Sequence, residues 1–167
     1  MRLLRKILPP VFLLVVGWLV WPFFQSSEVQ VARSHAELFE LAGGRYWTEV
    51  GGVMSKDYED AWGNNAEDAI EIASELLQGF LVLDLQWQTM TVVVDEDSKG
   101  KGLSATVTGK ARIEGNGLGL SQMVMSRLNK LEEPWTFTWR KEDWKPGDWR
   151  LVSVTHPKLK DKIPSGF

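Results

Sequence analysis

Three periodicities follow one another along the chain. From Ile7 to Phe24 the residues ILPPVFLLVVGWLVWPFF carry no charge, and about 18 residues at helical rise span roughly 27 Å, close to the thickness of a bilayer core. Pro9 and Pro10 suit a first helical turn, and Trp18, Trp21 and Phe23 crowd the far end, where aromatic rings favour the interface. Helical spacing without such greasiness follows. Glu28 to Ala42 sets Val31, Leu38, Phe39 and Ala42 on one face, with Gly43 and Gly44 as the stop. A second, short helix is expected after Ser55, where Met54, Tyr58, Ala61 and Trp62 recur at helical spacing before Gly63. A third starts at an Asn64 or Asn65 cap, carries Glu67 and Asp68 in its first turn, and repeats Ala69, Ile70, Ala73, Leu76, Leu77 and Phe80 around Gly79.

Beyond Phe80 the period changes to two. Leu81, Leu83, Leu85 and Trp87 alternate with Val82, Asp84, Gln86 and Gln88, and the run continues through Thr91 to Val94, with a bend expected near Thr89. Asp95 to Gly102 reads as a hairpin loop, and Leu103, Ala105, Val107, Ala111 and Ile113 alternate with polar residues on the return. Gly115, Gly117 and Gly119 break that strand, and Leu120 to Leu131 regains helical spacing before Pro134. A last hairpin pairs Trp135, Phe137 and Trp139 with Trp149 to Thr155 through a Pro146-Gly147 turn signal. A two-residue loop would set Trp144 opposite Trp149 and Phe137 opposite His156, a register that a longer loop shifts. Helices first and antiparallel strands afterwards make an α+β fold: a mostly antiparallel sheet of about four strands on three helices, preceded by one transmembrane helix.

Composition narrows the chemistry. The 167 residues contain no Cys and two His, so disulfides, thiolate nucleophiles and Cys-ligated metal sites are excluded and a His-built metal site has little to draw on. No cofactor and no metal are expected. With Arg2, Arg5 and Lys6 set apart, the 19 bases fall to 16 against 22 acids, which disfavours a nucleic-acid partner. Those three cations at the near end of the apolar run place the N-terminus in the cytoplasm and the rest across the membrane. The exit WPFFQSS lacks the small residues of a signal-peptidase site, which favours a retained signal anchor over a cleaved leader. The expected organisation is therefore a basic tip at 1–6, an anchor at 7–25, a folded domain at 26–157 and a flexible tail at 158–167. The expected location is a bacterial inner membrane, with the C-terminal domain periplasmic or extracellular.

The element order, together with the aromatic hairpin WTFTWRKEDWKPGDWRLVSV, resembles the nuclear-transport-factor-like superfamily, also called cystatin-like or SnoaL-like, over about Glu28 to Lys158. The resemblance implies a strongly curved sheet wrapped round helices into a cone, which is either filled by side chains or open to a small apolar ligand. It also implies possible homodimerisation through the outer sheet face. The superfamily includes ketosteroid isomerase, polyketide cyclases, dehydratases and many non-enzymatic partners, so fold alone carries no reaction.

Catalytic candidates are few. His35 interleaves with Val31, Leu38 and Phe39 on an apolar face, where it would be a general base if it lined a cavity and a hydrogen-bonded core residue otherwise. Asp84 shares its strand face with Val82 and Gln86, as a cavity carboxylate or, more commonly, a solvent-facing one. Tyr58 and Tyr46 are possible oxyanion donors, with packing the plainer role for Tyr58. The acids Asp57, Glu59 and Asp60 lack the pattern of a calcium loop and read as a solvated helix face. Trp135, Trp139, Trp144 and Trp149 crowd one hairpin as candidates for ligand or partner binding, with Trp144 and Trp149 expected to be the exposed pair. Taken together, these features favour a membrane-anchored binding or assembly module without catalysis. The alternative is a small-molecule isomerase, cyclase or dehydratase using an acid/base pair inside the cone.

Overall fold

The computed structural model describes residues 25–96, 103–143, 145 and 147–159. The expected tip at 1–6, the anchor at 7–25 apart from Gln25, Trp144 and the tail beyond Leu159 lie outside the described residues. No helix among the described residues is long and apolar enough to cross a membrane.

Helix α1 (Ser27–Gly43) opens at Ser26, whose hydroxyl accepts from the Val29 N–H, and buries Val31, Ser34, His35 and Leu38. It is tied at both ends. Lys141 Nζ donates to Gln30 Oε1 at 3.2 Å near its start, and Arg45 donates to the Phe80 carbonyl just after its end. Helix α2 (Trp47–Gly52) follows at once, turning Val50 inward. Helix α3 (Ala66–Gln78) begins where its cap was expected: Asn65 Oδ1 accepts from the N–H groups of Glu67 and Asp68 at 2.9 and 3.0 Å. The first-turn acids Glu67 and Asp68 then meet the positive end of the helix dipole.

Four strands form an antiparallel meander in the order β1 (Phe80–Glu96), β2 (Leu103–Gly117), β3 (Trp135–Lys141) and β4 (Trp149–Thr155), with helix α4 (Leu120–Leu128) between β2 and β3. The bend expected near Thr89 is a β-bulge between Thr89 and Thr91, opposite Gly109. A Cβ at Gly109 would overlap the Gln88 carbonyl oxygen and the Trp87 ring, so glycine is what lets Trp87 lie across the backbone of β2. A second bulge, between Phe80 and Val82, leaves Leu81 and Val82 both exposed and breaks the alternation expected there. The main core joins Val31 and Leu38 of α1 to Val107, Phe137, Trp139, Trp149 and Leu151 of the sheet. Asn129 fastens the end of α4 to the sheet by bonding both the N–H and the carbonyl of Ile113.

Several expectations need correction. The short helix expected between Ser55 and Gly63 does not form. Residues 53–61 run beside β4, with the N–H groups of Ser55, Glu59 and Ala61 donating to the carbonyls of Leu151, Val152 and Val154. That edge needed hydrogen-bond partners, and this demand overrode the helical spacing. Within the segment Asp60 is buried rather than solvated: its Oδ1 accepts from the N–H groups of Trp62 and Asn64, an Asx turn. Asp57 and Glu142 are drawn to Arg140, whose Nη2 lies 3.0 and 2.8 Å from their oxygens and 2.9 Å from Ser55 Oγ.

Trp149 is fully buried, not exposed. The β3–β4 connection runs from Glu142 to Asp148, with Gly147 at φ +86° and the Asp148 N–H donating to the Lys145 carbonyl. Lys141 therefore faces Trp149 and Phe137 faces Val154, and the bulge at Thr138/Trp139 sets Trp149 and Leu151 inward. At the start of the tail, Lys158 and Leu159 are held: Lys158 Nζ reaches Glu133 at 2.9 Å, and the Leu159 carbonyl accepts from Trp62 Nε1 at 2.6 Å.

Candidate functional site

Two cavities flank α1, and the sequence candidates divide between them. The inner one, about 290 Å³, is the mouth of the cone. Its walls come from Leu38 and Ala42 of α1, Ile70 and Ala73 of α3, and Phe137 and Val154 of the sheet, with further apolar side chains between them. Its phenol is Tyr58, a buried residue. Burial, with the Asp60 charge adding to it, holds that phenol well above its ordinary range, so it stays protonated. Trp135 lines the same cavity, half-buried against the His156 ring at 4.7 Å.

The outer cavity, about 520 Å³, lies between α1 and β1. His35 and Asp84 both border it, but the structure does not make them a pair. His35 is 1% exposed, and neither ring nitrogen has a partner among the described residues. It sits in a box of rings missed by reading the sequence locally: Trp87 at 4.5 Å, Phe137 at 4.7 Å, Phe39 at 5.1 Å and Trp139 at 5.8 Å between centroids. Two of these meet it edge-on, the arrangement aromatic quadrupoles favour. Desolvation there lowers the imidazole from its ordinary 6.5 to about 4, so His35 is neutral at pH 7. Asp84, on the strand face opposite Leu83 and Leu85, is exposed, and its Oδ2 accepts from Gln86 Nε2 at 2.8 Å.

Tyr46, the other phenol considered, is 57% exposed and borders neither cavity. The three catalytic candidates thus fall in separate settings: Tyr58 in the cone, His35 beneath the outer cleft and Asp84 on its rim. Among the described residues, no cluster of His, Asp and Glu has the grouping needed to hold a metal ion. Trp139 and Trp149 are both fully buried, with no partner for their indole N–H groups among the described residues, so neither presents a face to a partner. Sequence signals for the box existed: Phe39 lies one turn after His35, and Trp87 falls on the inward alternation of β1. Their convergence depends on how α1 crosses the sheet, which no local pattern encodes.

A meander of four antiparallel strands curved by bulges round packed helices is the nuclear-transport-factor-like fold, also described as cystatin-like or SnoaL-like. Solved structures bear this out. Aln2 from a Streptomyces species matches with a TM-score of 0.51 at 15% identity, over 78% of this chain and 90% of its own. A variant of Rd1NTF2_05 matches with a TM-score of 0.51 at 13% identity, over 77% and 97%. A protein from Catenulispora acidiphila in complex with S-DNPA matches with a TM-score of 0.51 at 12% identity, over 76% and 89%. At such identities the likeness is one of fold alone. No family model matches the chain, and no curated protein does.

Proposed function

We propose that this protein is a membrane-tethered binding module whose cone takes a small apolar molecule and performs no chemistry on it. The observation that carries the reading is the makeup of the inner cavity. Apolar side chains from α1, α2, α3 and the sheet line about 290 Å³, and no carboxylate or histidine enters it. Proton transfer needs an acid and a base within hydrogen-bond reach of one substrate atom, whereas apolar burial alone suffices to hold a ligand. The uncharged run at 7–24, with Arg2, Arg5 and Lys6 before it, supports a tether that leaves the domain outside the cytoplasm. A fold neighbour that holds S-DNPA supports a ligand-binding use of the scaffold.

The test uses the full chain in phosphatidylcholine nanodiscs, titrated with indole and followed through the methyl signals of Ile70, Leu77 and Val154. Saturable shifts are expected, and Ala73→Phe, which fills the cavity, should abolish them. An unresponsive wild type, or equal shifts in the variant, would overturn the reading. The tether is checked by fractionation with sequencing of the mature N-terminus: an intact chain in the membrane fraction is expected, and a soluble chain starting near Ser27 would refute it.

A further inference from the structure

At the end of the domain where β1 starts, large apolar side chains face solvent. Phe80 and Gly117 pair across β1 and β2 and are both buried, so their neighbours Leu81 and Leu118 point the other way, where they are 71% and 68% exposed. Val82 would face inward with Phe80 but for the bulge, and is 64% exposed. The Leu118 N–H donates to the Gly79 carbonyl at 3.2 Å, which holds the two segments together. The chain then turns at Gly119, with φ +55°, into α4. Leu120, Met123 and Arg127 fall three and four residues apart on one face of that helix, and Lys130 continues the spacing just beyond its end. All four are exposed. A shallow cleft of about 500 Å³ runs along this face from Gly119 to Lys130, with Arg127 and Lys130 as its charged walls. Between Glu114 and Glu132 the chain has no acid, in a sequence with 22 of them.

From these we infer that this corner seats the domain on an anionic phospholipid bilayer, with the apolar side chains among the acyl chains and Arg127 and Lys130 at the lipid phosphates. Leu81, Val82, Leu118, Leu120 and Met123 left mostly in water are a cost that contact with hydrocarbon removes. Apolar residues followed by cations on one exposed helix face are the pattern of an interfacial helix, whose long cationic side chains reach back to the headgroups. Charge selects the corner: all 22 acids lie outside residues 115–131, so anionic lipid repels the rest of the domain and draws this stretch. The choice of a bilayer over a protein partner rests on the proposed tether, which already holds the domain at a membrane. The corner lies at the far end of α1 from that tether, beside Arg45 and its bond to the Phe80 carbonyl, and the 17-residue helix is about 25 Å long. Tether and corner are then two separate points of attachment, and together they lay the domain along the membrane.

The test uses the full chain, one copy per nanodisc of phosphatidylcholine and phosphatidylglycerol, with a nitroxide on the lipid acyl chain near the glycerol. Methyl signals of Val82, Leu118, Leu120 and Met123 are expected to be lost, while those of Met90 and Val93, also exposed but farther along β1, remain. In Leu118→Ser/Leu120→Ser, two exposed positions, Val82 and Met123 should keep their signals. In discs of phosphatidylcholine alone the wild-type loss should shrink, and Arg127→Gln/Lys130→Gln should behave alike in both discs. A chain that travels with the discs but loses corner and control signals equally, or keeps both, would overturn the docking and leave the tether standing. So would a loss that the serine variant does not change, or a wild type indifferent to phosphatidylglycerol. A chain that elutes apart from the discs would overturn the tether and this inference with it.

Discussion

His35 should make folding stability depend on pH between about 4 and 6.5. Its folded value, about 4, lies below the 6.5 of an exposed imidazole because burial in the ring box penalises the charged form. The unfolded chain therefore binds the proton more readily than the folded one between those values, so stability rises with pH through this interval and is fully present above 6.5. As pH falls from about 7.5 to about 5, the unfolded chain takes up nearly one proton at His35 and the folded chain almost none, which costs about 2 kcal/mol. The loss approaches about 3 kcal/mol and levels off once pH drops below the folded value. Glu133 and Glu142 sit below their ordinary range, held there by Lys158 and by Ser55 and Arg140, so they stay ionised over most of this span. Urea unfolding at the two pH values reads the difference directly. In His35→Leu the difference should shrink to a few tenths of a kcal/mol whatever the variant's absolute stability, because the comparison is made within one protein. A wild type with equal stability at both values, or a leucine variant that keeps the full dependence, would refute the assignment of a buried, neutral His35.

Two further outcomes follow from local geometry. Asn65→Ala removes the oxygen that accepts from Glu67 and Asp68 and should cost about 1 kcal/mol of stability, read as a lower urea midpoint with an unchanged slope. Gly109→Ala sets a methyl against the Gln88 carbonyl and the Trp87 ring and should cost roughly 2–3 kcal/mol, with Trp87 displaced; a near-neutral effect on unfolding would show that the close approach at the bulge is not needed.

How much of this was legible depended on whether the deciding force was local. Helix α3 could be read outright, because Asn65, the acids after it and the apolar spacing of Ile70, Ala73 and Leu77 act within one or two turns. Strand β2 could be read as well, since Ala105, Val107 and Ile113 face inward by alternation alone. The segment after Ser55 misled because its spacing carries no trace of the exposed edge of β4, which is brought alongside only by the finished sheet. Trp149 misled for a related reason. A single bulge opposite Thr138 decides which residues of β4 turn inward, and bulges depend on the strand across the ladder. At the candidate site, the face of Asp84 was readable from Leu83 and Leu85, whereas the ring box round His35 needed three elements, α1, β1 and β3, to meet.

The chain's two histidines show why burial alone does not identify a site. His156 is also fully buried, yet its Nε2 faces the Glu133 carbonyl at 3.1 Å and its Nδ1 accepts from the Lys158 N–H at 3.2 Å. Both nitrogens are used, Nε2 in tying the end of β4 to the segment before β3 and Nδ1 in turning the chain at Lys158, and the ring packs at a tilt against Trp135. Its presence is explained by packing and hydrogen bonds. His35 has comparable burial and more aromatic neighbours, but neither nitrogen has a partner among the described residues. A leucine in that box would avoid the cost of burying polar atoms without partners, so stability alone gives no reason for an imidazole. What distinguishes His35 is an imidazole that has no hydrogen-bond partner among the described residues, so its polar atoms are a cost to the fold and its burial shows itself in the pH dependence of stability.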